Sequence, residues 1–171
     1  ITDVIKKMVD DGVQVGIVIG AGNIWRGALG KGVTRARADH MGMLATMINC
    51  LRLQDAIEKK DCKVTVMTPI QMNSFTEPYD FRKAIDHLEN GTVVIFGGGI
   101  GVPYVTTDTT IVVRGAEIGA DVLLMAKNID GVYTADPKKD PDAKKLDSIE
   151  YMDILSNHLT VIDTTATSFS M

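Results

Sequence analysis

"VVIFGGGIGVPYVTTD", residues 93–108, decides how the rest of the chain is read. Val93, Val94, Ile95 and Phe96 are β-branched or aromatic and suit a buried strand. Gly97, Gly98, Gly99 and Gly101 then strip the strand end of side chains, so a ligand can lie directly against the main chain. Pro103 stiffens the exit, and Thr106, Thr107 and Asp108 open a helix expected over 107–119, with Thr107 or Asp108 as its cap. The N-terminus of such a helix carries partial positive charge and unpaired N–H groups, which suit a large anion such as a phosphorylated small molecule. A tight turn feeding a helix accounts for the same letters without any ligand. Asp108 would repel a phosphate, so its role is either capping or holding cationic side chains beside the phosphates.

Working outward, the same strand-then-helix rhythm recurs. "ITDVIKKMVDDG" reads as a helix: Val4, Ile5, Met8 and Val9 recur at helical spacing, Thr2 or Asp3 is the candidate cap and Gly12 the stop. "VQVGIVIG" suits a strand buried on both faces. A glycine- and arginine-rich loop over 21–38 leads to a long helix over 38–60. Met41, Leu44, Ala45, Ile48 and Leu51 line one stripe of it, and Met43, Met47 and Cys50 a second. That apolar surface is wider than one core face requires, so the helix is either sandwiched inside the domain or shared with a second subunit. "KVTVMTP" is a strand, and "EPYDFRKAIDHLENG" a helix with Pro78 in its first turn and Asn90-Gly91 as its stop. "ADVLLMA" is a further strand, 127–148 a turn-rich polar loop, and 148–157 a final helix before "LTVIDTTATSFSM". The alternation predicts an α/β fold: a three-layer α/β/α sandwich around a mostly parallel sheet, in one domain.

Composition narrows the function. The 171 residues are 45% hydrophobic and 23% charged, an ordinary balance for a globular chain. A net charge of −4 argues against a nucleic-acid partner. No apolar run approaches the roughly 20 residues of a membrane span. Cys50 and Cys62 form no disulfide framework, and three histidines without ligand spacing form no zinc site. The chain reads as cytoplasmic.

Parallel α/β sheets bind ligands beyond the carboxyl ends of their strands, and two further strand ends resemble the first. In "GAGNIWRG", residues 20–27, Gly20, Ala21 and Gly22 expose backbone N–H groups that can face phosphate oxygens, and Arg26 can add a charge-assisted contact. The spacing fits neither a Walker A loop nor G-x-G-x-x-G, and a plain turn stays open. In "KNIDGVYTADP", residues 127–137, Tyr133 can pack on a planar base while Asp130 and Asp136 accept hydrogen bonds, or the stretch is only a turn-rich loop. Asp39 and His40 start the long helix, where an acid favours the dipole. Asp163 follows an apolar pair and suits an N-cap as well as a catalytic group.

Together and in this order, "VIGAGNIWRG", "ADHMGMLATMIN", "EPYDFRKAIDHLENGTVVIF", "PYVTTDTT", "RGAEIGADVLLMAKNIDGVYTADPKKDPDA" and "LTVIDTTA" resemble the bacterial uridylate kinases of the amino acid kinase superfamily. The resemblance implies transfer of the ATP γ-phosphoryl group to UMP to give UDP, a step of pyrimidine nucleotide biosynthesis. It implies Mg²⁺ bound through ATP, no protein metal site, and a homohexamer built from dimers. It places Gly20, Ala21 and Gly22 at the phosphates, with Ala21 on the UMP side and Gly22 and Arg26 on the ATP side. Asp39 would bind the UMP ribose, and Ile100, Gly101, Val102, Pro103, Tyr104, Val105, Thr106 and Thr107 would wrap UMP. Lys127, Tyr133 and Asp136 would lie at the ATP adenosine. Asp108 would organise the basic groups at the transferring phosphoryl, with Asp163 near the same centre.

The chain departs from that family at named places. Ile100 and Val102 stand where the family has Thr and Asn in G-T-G-N-P, and Ala21 stands where it has glycine. The family's N-terminal K-x-S-G segment and C-terminal strands are absent from these 171 residues, so the domain is expected to be truncated at both ends. Two readings compete with a UMP kinase: another superfamily kinase with a different acceptor, and a non-catalytic nucleotide-binding assembly.

Overall fold

The structure, a computed structural model, describes residues 1–26, 32–159 and 161–171. Its centre is β4 (Val93–Phe96), whose four residues are all at most 2% exposed. It pairs in parallel with β1 (Gly16–Val18) on one side and β2 (Val64–Thr68) on the other. β3 (Glu77–Pro78) adds a short parallel edge, giving the order β1-β4-β2-β3. The register sets Val18 against Phe96 and Phe96 against Met67, so β1, β4 and β2 end at one level. The glycine-rich segments after β1 and β4 therefore begin side by side.

Alternation along the central strand builds two cores. Val93 and Ile95 face α1 (Thr2–Asp10) and α2 (Arg35–Glu58), packing with Ile5, Met47, Cys50, Ile57 and Val66. Val94 and Phe96 face α3 (Phe81–Glu89) and α4 (Thr107–Glu117), packing with Met67, Ala84 and Leu88. Burying side chains of this size contributes about 1.5–3 kcal/mol each before the entropy of ordering them. The three-layer α/β/α sandwich is the expected one.

Several local expectations are corrected. Pro78 lies not in a helix but in the edge strand β3, where its missing N–H costs no ladder bond. The helix begins at Phe81 because the Asp80 carboxylate accepts from the amides of Arg82 and Lys83, a side-chain cap. α4 is capped by Thr106, one residue before the expected caps, its hydroxyl accepting from the Thr109 amide. α1 has no side-chain cap at Thr2 or Asp3. β1 is an edge strand rather than one buried on both faces, with Gly16 exposed.

"ADVLLMA" makes no sheet ladder among the described residues. Leu123 packs against Gly115, while Val122 and Leu124 stay 68% and 74% exposed. The polar loop after it contains an antiparallel hairpin, β5 (Val132–Tyr133) with β6 (Lys145–Leu146). The last helix of the expectation is shorter, α5 (Tyr151–Ser156), and α6 (Thr164–Phe169) follows, capped by Asp163. Residues 27–31 of the arginine-rich loop, with Gly27 of its "GAGNIWRG" motif, lie outside the described residues, as does Thr160 of "LTVIDTTA".

α2 is not sandwiched. Ala45, Met47 and Cys50 face the core, whereas Met41, Leu44 and Ile48 of the expected principal stripe are 37%, 51% and 52% exposed.

Candidate active site

The site starts from backbone. Gly98, Gly99 and Gly101 all adopt positive φ, at 74°, 63° and 87°, a conformation closed to most side chains. Close approach adds a second reason: a Cβ on Gly98 would sit 2.7 Å from Thr68 Oγ1, and one on Gly101 2.9 Å from Pro69. The turn is also held from α2, where Thr46 Oγ1 accepts the Gly98 N–H at 2.9 Å.

The neighbouring turn after β1 is held by the same helix. Asn49 is 8% exposed and donates from Nδ2 to the Gly20 carbonyl and to Asn23 Oδ1, both at 2.8 Å. Trp25 Nε1 donates to the Ala38 carbonyl at 2.8 Å and ties the turn to the start of α2. The two turns meet at the N-terminus of α4: a Cβ on Gly20 would lie 3.3 Å from Thr107 Oγ1. Thr46 and Asn49 escape a reading of the sequence for site residues. Their one signal is polarity within the apolar face of α2.

A cavity of about 590 Å³ opens over this junction. Ala21, Gly22, Arg26, Asp39, Ile100, Val102, Val105, Thr106, Thr107, Asp108 and Asp163 of the expected residues all line it, so Arg26 and Gly22 share one cavity with the residues expected around UMP. Gly101, Pro103 and Tyr104 do not line it. Tyr104 is 67% exposed with φ +68°, and its N–H donates to Asp39 Oδ2 at 2.9 Å. Asp39 also accepts from Arg35 Nε, at 3.0 Å to each carboxylate oxygen, and Arg35 lies 5.7 Å from the Tyr104 ring centroid. Arg35, not singled out by its sequence context, is thus a second cation at this cavity.

A second cavity of about 620 Å³ is lined by Lys127, Tyr133, Asp136 and Pro137 from one side and Asn157, His158 and Leu159 from the other. It gathers the three residues expected at adenosine. Tyr133 donates its hydroxyl to Asp130 at 3.0 Å, and this bond raises the phenol pKa. Asp136 accepts the Lys138 amide and so shapes its own turn.

The cavities share a boundary. Lys127 Nζ, from the second, lies 2.5 Å from both carboxylate oxygens of Asp108, from the first. Both side chains are about a quarter exposed, at 27% and 23%, so the pair is neither a surface bridge nor sealed from a ligand. A cation held here by a carboxylate can face negative charge arriving from either side.

Asp163 stands differently. Its carboxylate accepts from the Thr106 hydroxyl, from Thr109 Oγ1 at 3.3 Å and from the Ala166 amide at 2.8 Å. It caps α6 and ties that cap to the first turn of α4. Burial pushes its carboxyl pKa up, but these hydrogen bonds outweigh burial and hold it below the usual value. Beside the candidate site, burial pushes the Cys50 thiol to about 12, so it stays protonated and inert against the glycine turn.

The amino acid kinase family model matches residues 1–171. Among solved structures, the UMP kinase of Bacillus anthracis is 43% identical, with a TM-score of 0.95 over 99% of this chain and 71% of that one. The UMP kinase of Ureaplasma parvum is 36% identical, with a TM-score of 0.93 over 98% of this chain and 72% of that one. The uridylate kinase of Archaeoglobus fulgidus is 28% identical, with a TM-score of 0.72 over 98% of this chain and 75% of that one. Matched by the family model from end to end and superposing on these enzymes, the chain belongs to the amino acid kinase family.

Proposed function

We propose that this chain is a UMP kinase, transferring the γ-phosphoryl group of ATP to UMP to give UDP and ADP. The observation that carries the reading is the meeting of two nucleotide-sized cavities at the Lys127–Asp108 pair. Likeness to UMP kinases at 43% and 36% identity supports it.

In this reading the first cavity holds UMP. Thr106, Thr107 and the first amides of α4 face its phosphate, which the helix N-terminus favours. Asp39, with lone pairs left beyond those taken by Arg35 and Tyr104, accepts from the ribose hydroxyls. The second cavity holds the adenosine of ATP, with Tyr133 against the base and Asp136 at its edge. Gly22 and Arg26, on the wall of the first cavity, take the ATP phosphates.

A UMP phosphate oxygen attacks the γ-phosphorus, and the bond from that phosphorus to the β–γ bridging oxygen breaks. The acceptor is already an anion, so no strong general base is required. The protein's share is positioning and charge stabilisation. Lys127 meets charge developing on the transferred group, and Asp108 fixes its ammonium in place. Asp163 acts through Thr106 by holding the start of α4.

Mg²⁺ fits as an ion carried in by ATP, with Asp108 and Asp163 as hard oxygen donors at the cavity wall beside it. When bound, it neutralises the phosphate oxygens. The reading also carries a cytoplasmic location and a homohexamer built from dimers. Two buried free thiols support the first, and the exposed Met41, Leu44 and Ile48 of α2 support the second. No helix among the described residues is long and apolar enough to cross a membrane.

The test is an acceptor panel with ATP and Mg²⁺. UMP should be turned over with UDP as product, and Lys127→Met should lower kcat by about 10²-fold or more. Turnover of a carboxylate or carbamate acceptor in place of UMP would overturn the assignment.

A further inference from the structure

Arg114 lies on α4 two turns beyond Thr107, and sequence reading gives it no role. Its residue is 5% exposed. The guanidinium carbon sits 3.6 Å from the Tyr79 ring centroid, Nη1 donates to Glu117 Oε2 at 2.6 Å, and Nη2 donates to the Gly99 carbonyl at 3.4 Å. Nε is buried without a hydrogen-bond partner among the described residues. Burying a guanidinium is costly, and pairing with Glu117 alone does not call for it. Glu117 is 37% exposed, and an i,i+3 pair forms as readily at the surface. What burial adds is stacking on Tyr79 and contact with the glycine turn, and only the second reaches the cavity wall.

We infer that Arg114 is a positioning residue for the acceptor site: by holding the Gly99 carbonyl it turns the Ile100 amide toward the cavity that the proposed function assigns to UMP. The step follows from peptide geometry. The Gly99 C=O and the Ile100 N–H belong to one planar trans unit and point in opposite directions. With the carbonyl aimed at Arg114, the N–H points away from that guanidinium, and Gly99 and Ile100 both line the cavity. Thr46 fixes the preceding Gly98 N–H from the other layer, so the turn is gripped from both faces of the sheet. The grip has a particular use here. Ile100 and Val102 carry no polar side-chain atom, so hydrogen bonds from this turn to a ligand come from its main chain. Glycines with positive φ can rotate their peptides, and a cation at the carbonyl removes that freedom.

The inference rests on the UMP kinase reading, and the test separates the two. Steady-state KM for UMP and for ATP, and kcat, are measured for the wild type, Arg114→Met, Arg114→Lys and Leu88→Ala. Leu88 is 4% exposed, packs in the core with Val94 and Phe96 and lines a cavity with Arg114 away from the candidate site, so its variant reports lost stability. Arg114→Met should raise the KM for UMP about tenfold, the loss of one hydrogen bond to a charged donor, with the KM for ATP within twofold. Arg114→Lys, which keeps a cationic donor, should recover most of that rise, and Leu88→Ala should move neither KM. Equal changes in both KM values, or an Arg114→Met that behaves like Leu88→Ala, would overturn the inference and leave the kinase reading standing. A wild type that neither binds nor phosphorylates UMP overturns both.

Discussion

Asn49 shows how one side chain can decide a site without touching a substrate. Its amide spans the Gly20 carbonyl and Asn23, so Asn49→Leu leaves both without a partner in a part-buried setting. The expected cost is about 1–3 kcal/mol of stability by urea unfolding, with a fall of about tenfold in kcat/KM. Asp163 gives a pH-dependent counterpart. Its carboxyl pKa lies below the ordinary 3.8 in the folded state, so its contribution is complete above the unfolded value and disappears as pH falls through the folded one. Asp163→Ala should therefore cost about 1 kcal/mol near neutrality, the worth of a helix cap, and progressively less below about pH 4. Unfolding curves at a series of pH values check this. Residues of this kind are hard to read in advance. Thr46, Asn49 and Arg114 find their turn partners 52, 29 and 15 positions away, so no local pattern marks them. The turn after β4 was legible because strand and glycines are written consecutively, whereas the cap fell on Thr106, one residue before the expected ones.

At the scale of elements, the glycine turn is the least forgiving. Gly98→Ala would place a methyl group 2.7 Å from Thr68 Oγ1 and 2.9 Å from Ile70 Cδ1, in a backbone region that L-residues avoid. The left-handed penalty alone is about 1–2 kcal/mol, and overpacking adds to it. Thermal unfolding should show a loss of at least that size, whereas Gly12→Ala, also at positive φ but in open space, should pay only the backbone part. Long elements with clear periods were legible, and α2 was expected over nearly its whole length. Short or context-dependent ones were not. The two-residue strands β5 and β6 are below any period. "ADVLLMA" has a strand's composition, but an apolar run does not specify whether a neighbour lies beside it, and here Leu123 docks on Gly115 while Val122 and Leu124 stay exposed. Pro78 suited a helix start as well as an edge strand, and the Asp80 cap settled the boundary.

For the whole molecule, the stripe Met41–Leu44–Ile48 is the place where a second copy would be felt. Ile48→Glu changes a half-exposed position that makes no core contact, so the monomer fold should be kept while self-association falls. Sedimentation velocity on wild type and variant is the check, and an unchanged assembly mass would place the contact elsewhere. The alternating face of β4 has a different consequence. Val93 and Ile95 belong to one apolar layer, and Val94 and Phe96 to the other. Neither layer can melt while its neighbour persists, because both are threaded on the same four residues. Heating should give one cooperative endotherm whose calorimetric and van't Hoff enthalpies agree, and trimming Val94 to Ala should move that endotherm down as a unit rather than split it.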